Sequence, residues 1–256
     1  MKLIKSITFL LLLSSLNGCL FEEKQRESIN LDLSPKQLYE LAQQSIEAGA
    51  IDEAIKILER LQAAYPSSKY SIQAKLDIPY RLYKRERYDD AINSLNEFIK
   101  LYPNHFTTPY AYYLRGVVAH EKSSSILDQY NITDNAQRDV SSVKDSMNYF
   151  LALIDKFPNN KYSEEAKNKL IVLRNIIARH ELFVAIYYTK NDAHIAAINR
   201  CKFIIEKFPN TPSVPAALHL LAHNYDIINA PKLAKDARRV LEASYPKYTP
   251  HYSLND

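Results

Sequence analysis

The sequence predicts an all-α chain, a solenoid of about five helix pairs, and three observations predict it. Glycine is almost absent: only Gly18, Gly49 and Gly116 occur, while Leu, Ile, Ala, Lys and Glu are abundant, a balance that suits helices. Five helical runs end in one phrase, an aromatic residue followed by proline, at Tyr65-Pro66, Tyr102-Pro103, Phe157-Pro158, Phe208-Pro209 and Tyr245-Pro246. Proline cannot continue a helix, and the residue before it is pushed out of helical geometry, so each phrase is a stop. Upstream of every stop, small and apolar residues recur at helical spacing in a shared phase.

The first copy sets Leu38, Leu41, Ala42 and Ser45 on one helix and Ala54, Leu58 and Leu61 on the next, closing at Pro66. The second gives Ala91, Leu95, Phe98 and Pro103, but puts Pro79 where its first helix wants a small residue, so a kink or an early break is expected there. The third gives Tyr112, Gly116 and Ala119, then Ser146, Phe150, Leu153 and Pro158; its halves are out of phase, which places an insertion over 123–142. The fourth gives Val184, Ala185, Tyr188, Ala197, Cys201, Ile204 and Pro209. The stretch Tyr162 to Thr189 before it has neither proline nor glycine and exceeds one repeat helix, predicting a lengthened helix or an extra one. The fifth gives Leu218, Leu221, Ala222, Tyr225, Leu233, Ala237, Leu241 and Pro246. This pattern resembles the tetratricopeptide repeat, a helix pair of about 34 residues. The resemblance implies a right-handed superhelix with a concave wall.

Several function classes fall away on composition. Phosphate-cradling loops and dinucleotide fingerprints need several glycines close together. A formal net charge of +4 without a basic stripe gives nucleic acid no footprint. Of the two cysteines, Cys201 falls on a core position. His219 and His223 share a helix face at metal-ligand spacing, but no glutamate follows the first histidine as a zinc protease requires, and no metal site is expected. No strand–turn–helix setting for a nucleophile is visible, so neither an enzyme nor a cofactor is expected.

The N-terminus begins with Lys2 and Lys5, passes through an apolar run ending at Leu13, and turns to Ser14 and Ser15, the order of a secretory signal. The run is about half of what a spanning helix needs. Leu16-Asn17-Gly18-Cys19 resembles the bacterial lipobox, which implies cleavage after 1–18 and a lipidated Cys19 as first mature residue. Three acyl chains would anchor the protein effectively for good, and Leu20, where an inner-membrane retention signal would show aspartate, implies the outer membrane, facing the periplasm. Residues 19–33 lack helical pattern and read as a tether. The expected organisation is then repeats over 34–122, the insertion 123–142, further repeats over 143–248, and a tail 249–256.

A lipoprotein signal followed by such repeats resembles the BamD family, lipoprotein subunits of the machinery that inserts β-barrel proteins into outer membranes. The distinctive pieces are "YPSSKYS" at 65–71, "YYLRGV" at 112–117, "AQRDVSSVKDSMNYF" at 136–150, "VAIYYTK" at 184–190 and "AAINR" at 196–200. Ser67, Ser68 and Lys69 replace the Pro-Phe-Gly frequent in that family, and Val140 replaces a proline after Arg138 and Asp139. The resemblance implies a periplasmic scaffold whose partners are unfolded outer-membrane β-barrel proteins, the barrel-forming subunit and accessory lipoproteins. A periplasmic repeat adaptor for cell-wall enzymes is the alternative reading.

In the repeat family, set positions of each first helix line the concave wall. The phase assigns these to Lys36, Tyr39, Gln43 and Ile46; to Gln73, Leu76, Tyr80 and Tyr83; and to Tyr110, Tyr113, Val117 and His120. Tyr39, Tyr80, Tyr83, Tyr110 and Tyr113 thus form the expected substrate wall, because tyrosine offers large contact area at low entropy cost. The C-terminal wall is Arg179, Leu182, Ile186 and Thr189, then Ala216, His219, His223 and Asp226. For docking the barrel-forming subunit, the resemblance points to Arg200 and Arg179, with Arg138 and Asp139 in the insertion. Replacing Cys19 by alanine is expected to abolish incorporation of a palmitate analogue and leave the signal segment uncleaved; normal labelling of that variant would remove the basis for anchoring.

Overall fold

A computed structural model of the chain describes residues 33–128 and 140–250. Cys19, Arg138, Asp139, the signal segment 1–18, nearly all of 19–33, most of the insertion and the end of the tail lie outside the described residues. The described residues form α1 (Pro35–Glu47), α2 (Ile51–Ala64), α3 (Lys69–Lys84), α4 (Tyr88–Leu101), α5 (Thr108–Asp128), α6 (Ser141–Lys156), α7 (Lys161–Lys190), α8 (His194–Lys207), α9 (Val214–Ile227) and α10 (Pro231–Ser244), with no strand among them.

The chain divides into two compact units, one ending at Ala74 and one beginning at Lys75, so that α3 contributes to both. In the first unit α1 packs on α2. In the second, each helix from α4 to α9 packs on its successor, and α5 meets α7 as α7 meets α9. Successive first helices are therefore neighbours as well, which is the packing expected of stacked helix pairs.

Two kinds of turn alternate. Within a pair, the first helix ends through a left-handed residue: Gly49 (φ 77°), Glu86 (58°), Asp192 (58°) and Asn229 (58°). At each, the following amide reaches back five residues, from Ala50 to Ser45, Arg87 to Leu82, Ala193 to Tyr188 and Ala230 to Tyr225, at 2.8–3.0 Å. This is the Schellman closure, which satisfies an otherwise orphaned carbonyl.

Between pairs, the aromatic residue before each proline donates its N–H to the carbonyl four back, as Tyr65 does to Leu61 and Phe157 to Leu153, both at 2.9 Å. Its own carbonyl then accepts from a buried hydroxyl a few residues later. Ser71 donates to Tyr65 (2.5 Å), Thr108 to Tyr102 (2.5 Å), Ser163 to Phe157 (2.6 Å) and Thr211 to Phe208 (2.9 Å). All four hydroxyl residues are buried.

Contact between helices follows the small-residue pattern. Ala42, Ala54, Ala91, Ala119, Ser146, Ala185, Ala197 and Ala222 are buried, as are Leu58, Leu95, Phe98, Phe150, Cys201 and Ile204. Burial pushes the Cys201 thiol up to about 12, so it stays a neutral apolar filler. At the tightest approach, Ser146 Oγ donates to the Gly116 carbonyl (2.7 Å), and a Cβ on Gly116 would lie 2.5 Å from the Phe150 ring.

Two expectations need correction, and two alternatives narrow. Of the two outcomes expected at Pro79, the early break does not occur: helix α3 runs through it to Lys84, the proline removing one hydrogen bond without ending the helix. Helix α5 continues past residue 122 to Asp128. Leu233, expected in the core, is 49% exposed, and Ala234 holds the buried place instead, because α10 keeps the phase of Ala54, Ala91 and Ala197 relative to its proline. Of the two readings of Tyr162–Thr189, a single lengthened helix is correct: α7 has 30 residues.

Ser163→Ala would take from the Phe157 carbonyl one of its two donors, leaving the Asn160 N–H at 3.1 Å, and is expected to lower unfolding free energy by about 0.5–1.5 kcal/mol in a denaturant titration. Gly116→Ala is expected to cost about 1–3 kcal/mol by forcing Phe150 aside, whereas Ser67→Ala, on an exposed residue, should change stability by less than about 0.5 kcal/mol.

Candidate functional site: a row of tyrosines on the first helices

Residues three apart on a helix share a face, so Tyr80 and Tyr83 emerge together from the last turns of α3, and Tyr110 and Tyr113 together from the start of α5. The first turn of α7 adds Tyr162. Within the second unit these rings form a row. Tyr83 lies 6.2 Å from Tyr80 and 6.3 Å from Tyr88; Tyr110 lies 5.5 Å from Tyr162; Tyr113 stacks on Tyr162 at 5.4 Å and leans on Phe150 at 5.8 Å. Tyr80 is close enough to Tyr110 to disfavour its ionisation. Tyr39 belongs to the first unit, where its ring centre is 5.6 Å from Tyr70.

Both cations and carboxylates border the row. Lys84 Nζ sits 5.1 Å over Tyr83 and 5.6 Å over Tyr80, and the Arg81 guanidinium 5.2 Å over Tyr80, cations held by ring faces. Burial raises the phenols of Tyr83 and Tyr110 above the usual value, with Glu121 adding to the first and Tyr80 to the second. Tyr113 is pushed up to about 12 by burial and by a hydrogen bond to the Glu165 carboxylate. Protonated phenols remain hydrogen-bond donors, and such a surface can meet the backbone carbonyls and apolar side chains of an extended peptide.

The sequence reading missed Tyr70 and Tyr162. Lys69-Tyr70-Ser71 and Lys161-Tyr162-Ser163 stand in the same place after their prolines, a signal that α7 opens as a repeat helix at Lys161. Three expected wall positions are core. Leu76 is buried because the buried residues Ala74, Leu76, Ile78, Pro79 and Leu82 go most of the way round α3. Ala216 is buried in α9. Thr189 is buried because its hydroxyl donates to the Ala185 carbonyl and accepts from Asn224 Nδ2 (2.9 Å), in a network where Asn224 Oδ1 meets His194 Nδ1 at 2.9 Å.

Of the expected docking residues, Arg179 is exposed on α7. Arg200 is bound internally: its Nη1 donates at 2.7 Å to Glu181, a carboxylate only 3% exposed, which also faces Lys144 at 3.8 Å. A buried carboxylate must be paired, so part of the work of this arginine is structural. His219 and His223 are half-buried, and burial holds both below the usual histidine range. Among the described residues, no cluster of three or more His, Cys, Asp or Glu could hold a metal ion, and no helix is long and apolar enough to cross a membrane.

A phenol raised in the folded state favours the protonated form, so the Tyr113 contribution to stability is intact below pH 10 and lost as pH rises towards 12. In an absorbance titration of the folded protein, Tyr113→Phe is expected to remove a late-ionising phenol near pH 12; loss of a phenol titrating near 10 instead would contradict the Glu165 contact.

Comparison with known proteins identifies a family. The family described as YfiO, outer membrane lipoprotein, matches residues 31–241. The chain is 36% identical over 219 residues to the outer membrane protein assembly factor BamD of Neisseria gonorrhoeae, covering 86% of this chain and 82% of that one. It is 32% identical over 241 residues to BamD of Xylella fastidiosa, covering 94% and 80%, and 29% identical over 246 residues to BamD of Pasteurella multocida, covering 95% and 92%. A match running from the tether through nearly all of the helices places this chain in the YfiO family of outer membrane lipoproteins, alongside these BamD assembly factors.

Proposed function

We propose that the protein is a non-catalytic scaffold for outer-membrane protein assembly, anchored to the outer membrane through Cys19 and working in the periplasm. Kinship over most of the chain with proteins named as outer membrane protein assembly factors carries the role. No observation favours the cell-wall adaptor reading.

Within that role, Tyr80, Tyr83, Tyr110 and Tyr113 bind extended segments of unfolded barrel proteins, with Tyr162 completing the row. Barrel strands alternate apolar and polar residues and carry aromatic girdles, which suits rings bordered by Lys84 and Arg81. Tyr39 serves the same substrates from the first unit. The C-terminal helices hold the barrel-forming subunit, Arg179 and Arg200 meeting carboxylates of that partner while Glu181 keeps Arg200 in place; Arg138 and Asp139 of the insertion act with them. Accessory lipoproteins complete the assembly.

The chain has no tryptophan, so a peptide copied from the last strand of an outer-membrane barrel and bearing one tryptophan is the only indole in solution. Its emission should shift on binding. Tyr83→Ala is expected to weaken binding by about 1–2 kcal/mol, roughly five- to thirtyfold, with thermal unfolding nearly unchanged. Unchanged affinity in a folded Tyr83→Ala variant would put the substrate elsewhere.

A further inference from the structure

Helices α6, α7 and α8 leave an open, largely apolar cleft of about 550 Å³ that none of the row's tyrosines lines. Leu151, Ile171 and Phe203 line it and remain 47%, 61% and 39% exposed. Scattered exposed apolar residues are ordinary, but three converging from three helices on one concavity form a patch. The cleft is preformed: Phe203 packs edge-on against the buried Phe208 at 5.6 Å, which fixes one wall.

Its rim is cationic. Lys167 and Arg174 stand about two helical turns apart on α7, roughly 10 Å along the axis, and Lys207 closes the α8 side. The charges are held apart, because Lys167 leans to Glu164 (2.7 Å) while the Arg174 guanidinium donates to the Lys207 main-chain carbonyl (3.4 Å). Among the described residues, neither Arg174 nor Lys207 has a carboxylate within ion-pair distance, and the Lys167 pair is an exposed one that a ligand can exchange.

We propose that this cleft is a docking site for a partner protein segment in which large apolar side chains are flanked on both sides by carboxylates. The apolar floor takes the side chains, and the cations at its two ends take the carboxylates. A lipid fits this pattern less well. One headgroup reaches one end of the rim, and an open cleft leaves an acyl chain largely in water. The site stands independently of the tyrosine row.

The test pans a displayed library of random dodecapeptides against the full chain, with the double variant Arg174→Glu, Lys207→Glu as counter-target and circular dichroism to show that the variant is folded. Peptides retained only by the unsubstituted chain should carry paired Leu or Phe residues between Asp or Glu residues. Their affinity should fall at least tenfold in the double variant and in Phe203→Ser, and should weaken as salt rises. Recovery of no discriminating peptide, or of discriminating peptides without carboxylates, would overturn the proposal. So would phosphatidylglycerol vesicles that bind the chain through Arg174 and Lys207 and displace the selected peptides, which would assign the cleft to lipid. Loss of this binding with intact tyrosine-row binding would leave the scaffold reading standing.

Discussion

The carbonyl of the aromatic residue before each of the first four repeat-ending prolines is the group on which the rest of the structure depends. The helix has stopped, the proline has no N–H to offer, and the turn is packed against the next pair. Two donors meet the carbonyl there, a backbone N–H of the turn, as Asn160 gives to Phe157 at 3.1 Å, and a side-chain hydroxyl, each such bond contributing about 0.5–1.5 kcal/mol. Ser71, Thr108, Ser163 and Thr211 each bring a buried hydroxyl to it. Pairing at that point fixes where the next first helix begins. It thereby fixes where the tyrosines emerge, since Tyr70 and Tyr162 immediately precede Ser71 and Ser163, and Tyr110 follows Thr108 on the first turn of α5. The turn chemistry and the binding surface are two ends of one constraint.

Close helix approach is the second requirement, and it explains why polar atoms appear in an otherwise apolar core. Where Gly116 and Ser146 let α5 and α6 touch, the serine hydroxyl pairs with the glycine carbonyl. Between α7 and α9, Thr189 and Asn224 are buried but paired, with His194 as the third member. Glu181 follows the same rule at higher stakes, a buried charge satisfied by Arg200. Such pairs favour one register between neighbouring helices, because a slip would leave each of them unsatisfied.

Much of this was legible in the sequence. The five prolines, the scarcity of glycine and the recurring small residues predicted the helix pairs and most of the core, from Ala54 and Leu58 to Cys201 and Ile204. The within-pair turns were legible only at Gly49; Glu86, Asp192 and Asn229 adopt the same left-handed geometry without glycine, imposed by the Schellman closure. Helical spacing paired Tyr80 with Tyr83 and Tyr110 with Tyr113, each pair on one helix. It misplaced Leu76, Thr189 and Ala216, because a helix with neighbours on more than one side buries positions that a single-face phase leaves open. Tyr162 was legible only by comparing its place after Pro158 with that of Tyr70 after Pro66, and the Glu181–Arg200 pair rests on a contact between consecutive helices that spacing along one helix does not encode.

The central claim is that repeat turns of fixed geometry set a row of tyrosines where an unfolded barrel strand binds. Photoreactive side chains placed singly at Tyr83, Tyr113 and His219, then exposed to a peptide copied from a terminal barrel strand, test it most directly. Crosslinks concentrated at Tyr83 and Tyr113 and sparse at His219 are the predicted result; crosslinks concentrated at His219, or equal at all three, would contradict it.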